Sequence, residues 1–425
     1  MNNKKVENGV NQNDFQNNLW TFLSAGVFSV YISIVVLITA RRVGLAEAGM
    51  VSFAAAIVTL ASGLITFGVR IFQASDIRKE FSLQTYFGFR VYTALLSTVL
   101  ITVFLFIGGF NSDRVIVISL FYFIFLCTGF ADVFMGDLQQ NGKMHVAGKM
   151  MVCAFGLNII TYTIIIYISG SLYISLISSC VVTFAVYIAW IWYYQNDFGP
   201  IRIKYDISAI KRLFKKVLPI FLAGIISSYL FNIHKYYLGF LETDESVAII
   251  TILLMPGTAL QILCGSIFGG AEMTKTAVVY TSGNIKNLTR RINHQLLLAA
   301  AISVFFLLCV FVFGLPLLTW LFAVDLTAYK YELIITSIGG ALFSVNIVLG
   351  TAIIVMRMQR AHFINILTVT LVVAPLMWFI IDRYGIMGAA FVNLAILAPL
   401  TIVLLIICRL KLAKLKTCGM TQIIT

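Results

Sequence analysis

The chain has 425 residues, of which 60% are hydrophobic and only 11% charged, with a mean hydropathy of +0.97. So few charges cannot coat a soluble protein of this size, which points to a bilayer as much of the solvent. The formal net charge of +13 then reads as the Lys and Arg excess of cytoplasmic membrane loops, and no nucleic-acid partner is expected.

A helix needs about twenty apolar residues to cross a hydrocarbon core. Residues 1–18 are polar and Asn-rich, so no cleavable signal peptide is expected. Apolar stretches of spanning length follow near 19–40, 48–72, 86–108, 114–134, 149–168 and 172–194. A second set lies near 217–238, 247–270, 292–313, 329–355, 362–381 and 387–408. The chain thus reads as an all-α polytopic membrane protein with twelve transmembrane helices in two six-helix bundles, because lipid offers no partner to a free backbone amide. The expected domains are 1–205 and 206–425. The second opens with a basic amphipathic cytoplasmic helix, 206–218, in which Ile207, Ile210, Leu213, Phe214, Val217 and Leu218 oppose Lys211, Arg212, Lys215 and Lys216. Such a helix is expected to lie flat in the membrane interface.

An even number of spans puts both termini on one side. Twenty-two of the thirty Lys and Arg residues fall on that side and six on the other, so both termini are expected in the cytoplasm. The outer loops are short. No GxxxxGK[ST], HExxH or GxSxG occurs, which argues against an ATPase or any other enzyme. The seven cysteines have no metal-ligand spacing and fall mostly in apolar runs, so they read as inert packing residues, and no metal or other cofactor is expected.

Charges inside spanning helices are costly and each asks for a reason. Arg41 and Arg42 end the first span. Arg70 lies near the end of the second, Arg90 in the first turns of the third, and Lys235, beside His234, late in the seventh. A cavity between these helices would be cationic and would suit a phosphate or pyrophosphate, which Arg grips with paired donors. Arg70 and Arg90 read equally well as side chains snorkelling to water. Arg41, Arg42 and Lys235 defy the positive-inside bias and so lean towards substrate contact, and together with Arg70 they are the residues expected to touch phosphate or sugar. Asp132, Glu272 and His234 could carry protons, but each reads first as a packing or interfacial group. Asn158, Gln261, Asn346 and Asn393 read mainly as helix–helix glue. Small residues at Ser62-Gly63, Gly224, Gly265-Ser266 and Gly339-Gly340 suggest close helix approach.

The halves echo each other weakly. Phe22-Leu23-Ser24-Ala25-Gly26 opens the first span and Phe221-Leu222-Ala223-Gly224 the seventh. Same-sense repeats imply parallel halves with the ligand path between them.

Four islands carry a family resemblance: Ala40-Arg41-Arg42-Val43-Gly44 with Gly49, Phe67-Gly68-Val69-Arg70, the basic run from Ile210 to Pro219, and Arg383-Tyr384-Gly385-Ile386-Met387-Gly388-Ala389-Ala390. In order and spacing they resemble the polysaccharide exporters of the multidrug/oligosaccharidyl-lipid/polysaccharide (MOP) superfamily, the O-antigen and capsule repeat-unit flippases. The resemblance implies an alternating-access flippase in the bacterial cytoplasmic membrane. Its cargo would be an undecaprenyl-pyrophosphate-linked oligosaccharide, with membrane lipid and a polysaccharide polymerase as partners. That family often has an Asp in the seventh helix where this chain has His234, which leaves ion coupling open. The alternative is a MATE-like drug/cation antiporter of the same superfamily. It would need carboxylates at depth, which the first, second and seventh spans lack.

Overall fold

The computed structural model describes residues 2–76, 79–195 and 206–418, and every regular element among them is helical. Arg78, Arg202 and Lys204, three of the twenty-two Lys and Arg residues expected on the terminus side, lie outside the described residues. Eleven helical stretches among the described residues are long and apolar enough to cross a membrane. The last of them, Gln359–Lys416, is broken at Gly385 (φ 52°, ψ −127°), which makes it two spans and gives twelve in all. The protein is therefore a multi-pass, all-α membrane protein. Large apolar side chains such as Phe106, Ile107 and Ile168 stand exposed, as expected where lipid is the solvent.

Two compact units divide the chain, Met1–Ser228 and Tyr229–Thr425. In the first, α1 (Asn2–Arg42), α2 (Leu45–Thr66), the short α3 (Val69–Ser75), α4 (Leu83–Ile107), α5 (Ser112–Gln140), α6 (Met144–Ser169) and α7 (Leu172–Tyr193) gather around α5, which touches α2, α3, α4, α6 and α7. Small residues let the helices close in. A Cβ on Gly148 of α6 would sit 2.6 Å from the Trp20 carbonyl oxygen of α1, so only glycine fits there. Asn158 of α6 donates to the Ser179 carbonyl and to Thr183 Oγ1 of α7, at 3.2 and 2.7 Å.

The division between the units falls inside α8 (Ile207–Leu241). Its first turns pack part of the apolar side expected to face the membrane interface against protein instead. Ala209, Leu213 and Val217 are buried against Phe67, Val69, Phe81, Tyr86, Phe89 and Val133, while Ile207 and Phe214 stay well exposed. The seam is set by contact with protein, and it recruits Ala209, which a lipid-facing pattern would not weight.

In the second unit, α9 (Asp244–Phe268), α10 (Gly270–Thr281), α11 (Ile285–Cys309), α12 (Leu315–Phe322), α13 (Lys330–Val355) and α14 (Gln359–Cys418) follow. Here α13 is the hub, touching α9, α10, α11 and α14. Its Gly340 meets Gly257 of α9 so closely that a Cβ would fall 2.5 Å from the Gly257 Cα. Gly339 is similarly tight against Asn393, whereas Gly63, Gly224 and Gly265 have open space and serve no close approach. Asn346 donates to Thr401 Oγ1 at 3.1 Å and ties α13 to α14.

Candidate functional site

The second span ends earlier than its apolar run suggests. Phe67 and Gly68 both adopt left-handed backbone (φ 49° and 68°), and the chain restarts as α3. Phe67 stacks on Phe221 of α8, 3.9 Å between centroids, and a Cβ on Gly68 would meet Ile220 at 2.8 Å. Arg70 therefore sits in the first turn of α3, past a break, and not in the second span itself.

The break leaves the last carbonyls of α2 without helical partners. Helix α4 supplies them. Ile65 O accepts from Arg90 Nη1 at 2.5 Å and from Thr93 Oγ1 at 2.8 Å, and one turn back Ala61 O accepts from Ser97 Oγ at 3.0 Å. Arg90 is wholly buried, and its Nη2 donates to Asp132 Oδ2 of α5 at 2.9 Å. Asp132 Oδ1 accepts from Arg70 Nη1 at 3.2 Å. Gln139, two turns along α5, takes Arg70 Nε at 3.4 Å.

Two guanidinium groups thus share one carboxylate, leaving one net positive charge. The two are not equivalent. Arg90 has no solvent exposure and its Nη atoms are engaged by a carbonyl and a carboxylate. The Arg70 side chain is 28% exposed, against 13% for Asp132, and it is held through Nε and Nη1 while Nη2 points to no protein acceptor among the described residues. What results is a pre-oriented cation with a free pair of N–H donors, the arrangement that suits a phosphate oxygen. Glycine spacing on α5 makes it possible. Gly129 and Gly136 flank Asp132 on one face, and Cβ atoms there would strike Ile65 and Gln73. That small-residue stripe around an acid was the signal in the sequence, and Gln139 and Gln73 carried none.

The connection from α3 to α4 is fastened by Asp76. Its carboxylate accepts from the Glu80 and Phe81 amides at 3.0 and 3.2 Å and from the Tyr86 hydroxyl at 3.0 Å. Desolvation pushes its pKa up. The two amides, the Tyr86 hydroxyl and the Lys216 charge outweigh that and hold the carboxyl below its ordinary value. Lys216 of α8 also pairs with Glu80 at 2.5 Å.

The other expected residues lie apart from this cluster. Arg41 and Arg42 are exposed at the C-terminal end of α1, and Arg42 Nη2 donates to the Tyr167 carbonyl of α6 at 3.2 Å with its guanidinium over the Tyr167 ring. In the second unit, His234 of α8 is buried with neither ring nitrogen hydrogen-bonded among the described residues, and Lys235 beside it is half-buried. Glu272 lies in α10 and accepts from Lys275 Nζ at 2.8 Å, from Arg291 Nη2, and from Gln295 Nε2 at 3.1 Å. The Lys275 bond, with help from Gln295 and Arg291, overcomes desolvation and keeps the Glu272 carboxyl below its usual range.

Over residues 15–272 the sequence matches the polysaccharide biosynthesis protein family. The chain belongs to that family. The structure is similar to an inward-facing MATE multidrug resistance transporter of the MOP superfamily at TM-score 0.67 and 18% identity, over 92% of this chain and 96% of that one. The eukaryotic MATE transporter AtDTX14 matches at TM-score 0.61 and 15% identity, over 95% and 98%. A MOP-superfamily transporter from Pyrococcus furiosus, described as having a binding pocket of reverse polarity, matches at 0.54 and 17%, over 95% and 96%. At such identities the likeness is one of fold. No curated protein matches the chain. Family and fold are those of transporters and flippases, not of catalytic enzymes.

Proposed function

We propose that this polysaccharide biosynthesis protein is a flippase. It carries an undecaprenyl-pyrophosphate-linked oligosaccharide, the repeat unit of an O-antigen, capsule or related surface polysaccharide, across the bacterial cytoplasmic membrane by alternating access. The termini face the cytoplasm, and a polysaccharide polymerase receives the product. The observation that carries this reading is Arg70: partly open, fixed by Asp132 and Gln139, with Nη2 left to take a phosphate oxygen. Arg90 is the counter-ion that keeps Asp132 in place. Arg41, Arg42 and Lys235 are proposed as further contacts to phosphate or sugar along the path.

The antiporter alternative needs a carboxylate free to exchange a cation. Both oxygens of Asp132 are taken by arginines, and those of Glu272 by Lys275, Arg291 and Gln295, which favours the anionic cargo. Of the three groups proposed for proton coupling, His234 is the one whose polar atoms have no partner among the described residues.

The test is Arg70→Ala in cells that display the polysaccharide. Surface glycan should be lost while the protein stays at wild-type level in the membrane. Normal display by this variant would reject Arg70 as the phosphate contact.

A further inference from the structure

Helices α10 and α11 face each other across an open cleft of about 630 Å³. Glu272, Lys275 and Val279 line it from one side, and Asn287, Arg290, Arg291, His294 and Gln295 from the other. The lining follows from helical spacing. Residues 272, 275 and 279 share one face of α10, while 287, 291 and 295, with 290 and 294 beside them, share one face of α11. The cleft's floor is satisfied internally. Glu272 is held by Lys275, Arg291 and Gln295, and Thr276 Oγ1 accepts from Arg291 Nε at 3.2 Å and from Gln295 Nε2 at 3.3 Å.

Its mouth is not. Arg290 and His294 are exposed, one turn apart, with no side-chain partner among the described residues. Lys275, Arg290 and Arg291 against the Glu272 carboxylate leave an excess of two positive charges among these four side chains. A planar guanidinium, an imidazole and an amide converging on one cleft form a donor set suited to the oxygens of a phosphate group.

We infer that the α10–α11 cleft is a binding site for a phosphate group, seated between Arg290, His294 and Lys275. It lies in the second unit and is separate from the Arg70 cluster, so it stands whether or not Arg70 contacts cargo. Two sources carry this chemistry, the phosphodiester of an anionic lipid headgroup and free phosphate, and each has its own probe.

The test uses the full chain in phosphatidylcholine nanodiscs, with short-chain phosphatidylglycerol and inorganic phosphate titrated separately and the thermal midpoint followed. At least one probe should raise the midpoint saturably. Phosphatidylglycerol alone identifies a lipid headgroup, and a response to inorganic phosphate identifies the free ion. Arg290→Gln should weaken the responding probe by about tenfold, the loss of one charge-assisted contact. Lys286→Gln, which removes the same charge one residue outside the cleft lining, should leave affinity unchanged. Glu272→Gln should tighten binding by removing the competing carboxylate. The inference is overturned if neither probe binds, or if Lys286→Gln weakens binding as much as Arg290→Gln does.

Discussion

Arg90 and Arg291 occupy corresponding places in the two units. Each lies early in the spanning helix that follows a broken one: α2, break, α3, α4 in the first unit and α9, break, α10, α11 in the second. Each meets a carboxylate. In the first unit the acid is Asp132, which projects from the hub helix α5 and draws Arg90 to complete burial. In the second the acid is Glu272, on the short helix itself, and the pair stays 26–29% exposed. The hub α13 has its acidic residue, Glu332, only in its first turn. The origin of the carboxylate thus decides whether the same backbone device becomes a closed part of the fold or an open cleft.

The sharpest way to break this comparison is to remove each carboxylate in turn. Asp132→Asn leaves the buried Arg90 without its counter-charge and should lower stability by about 3–5 kcal/mol. Loss of folded protein in detergent, followed by thermal unfolding, reads this out. Next in size are the close helix approaches, which should matter equally in both units because they involve backbone and not charge. Gly148→Ala and Gly340→Ala should each cost about 1–3 kcal/mol, and Gly265→Ala, with open space around it, should be tolerated in the same assay.

A smaller effect separates the connections. Asp76 ties α3 to α4, whereas residues 282–284, which join α10 to α11, contain no carboxylate. Asp76→Asn should cost about 1–2 kcal/mol at neutral pH. Because folding lowers the Asp76 pKa, its contribution is complete above the unfolded carboxyl value of about 3.9 and is lost as pH falls through the lower folded value. The wild-type advantage over Asp76→Asn should therefore shrink on acidification below about pH 4. The smallest change is expected for Glu272→Gln, at most about 1 kcal/mol, since its partners keep access to water. If Glu272→Gln destabilised the protein as much as Asp132→Asn, the contrast between closed and open pairs would fail.

Much of this architecture was legible in hydropathy alone. The spans follow from apolar length, and the turn at Gly385 from the Tyr-Gly motif between two apolar runs. The break at Phe67-Gly68 was not, because Phe67 takes a left-handed conformation that nothing in an unbroken apolar run signals. Docking on Ile220 and Phe221, far along the chain, imposes it. The packing of α8 is hidden for a related reason: an amphipathic pattern gives the apolar side but not which part of it protein covers. Arg70, Arg90 and Asp132 could each be picked out as costly charges. Their pairing could not, since it joins residues on three helices and distinguishes a walled-in Arg90 from an accessible Arg70 only through the packing of α5.

The central claim, that Arg70 is the cation offered to a phosphorylated cargo, is tested most directly by reconstituting the full chain in liposomes. The transbilayer movement of a fluorescent polyprenyl-pyrophosphate oligosaccharide would be measured for wild type, Arg70→Gln and Arg70→Lys. The account predicts movement by the wild type, a reduced rate for the lysine variant, which keeps charge but loses the paired donors, and none for the glutamine variant. Movement by Arg70→Gln at the wild-type rate would contradict it.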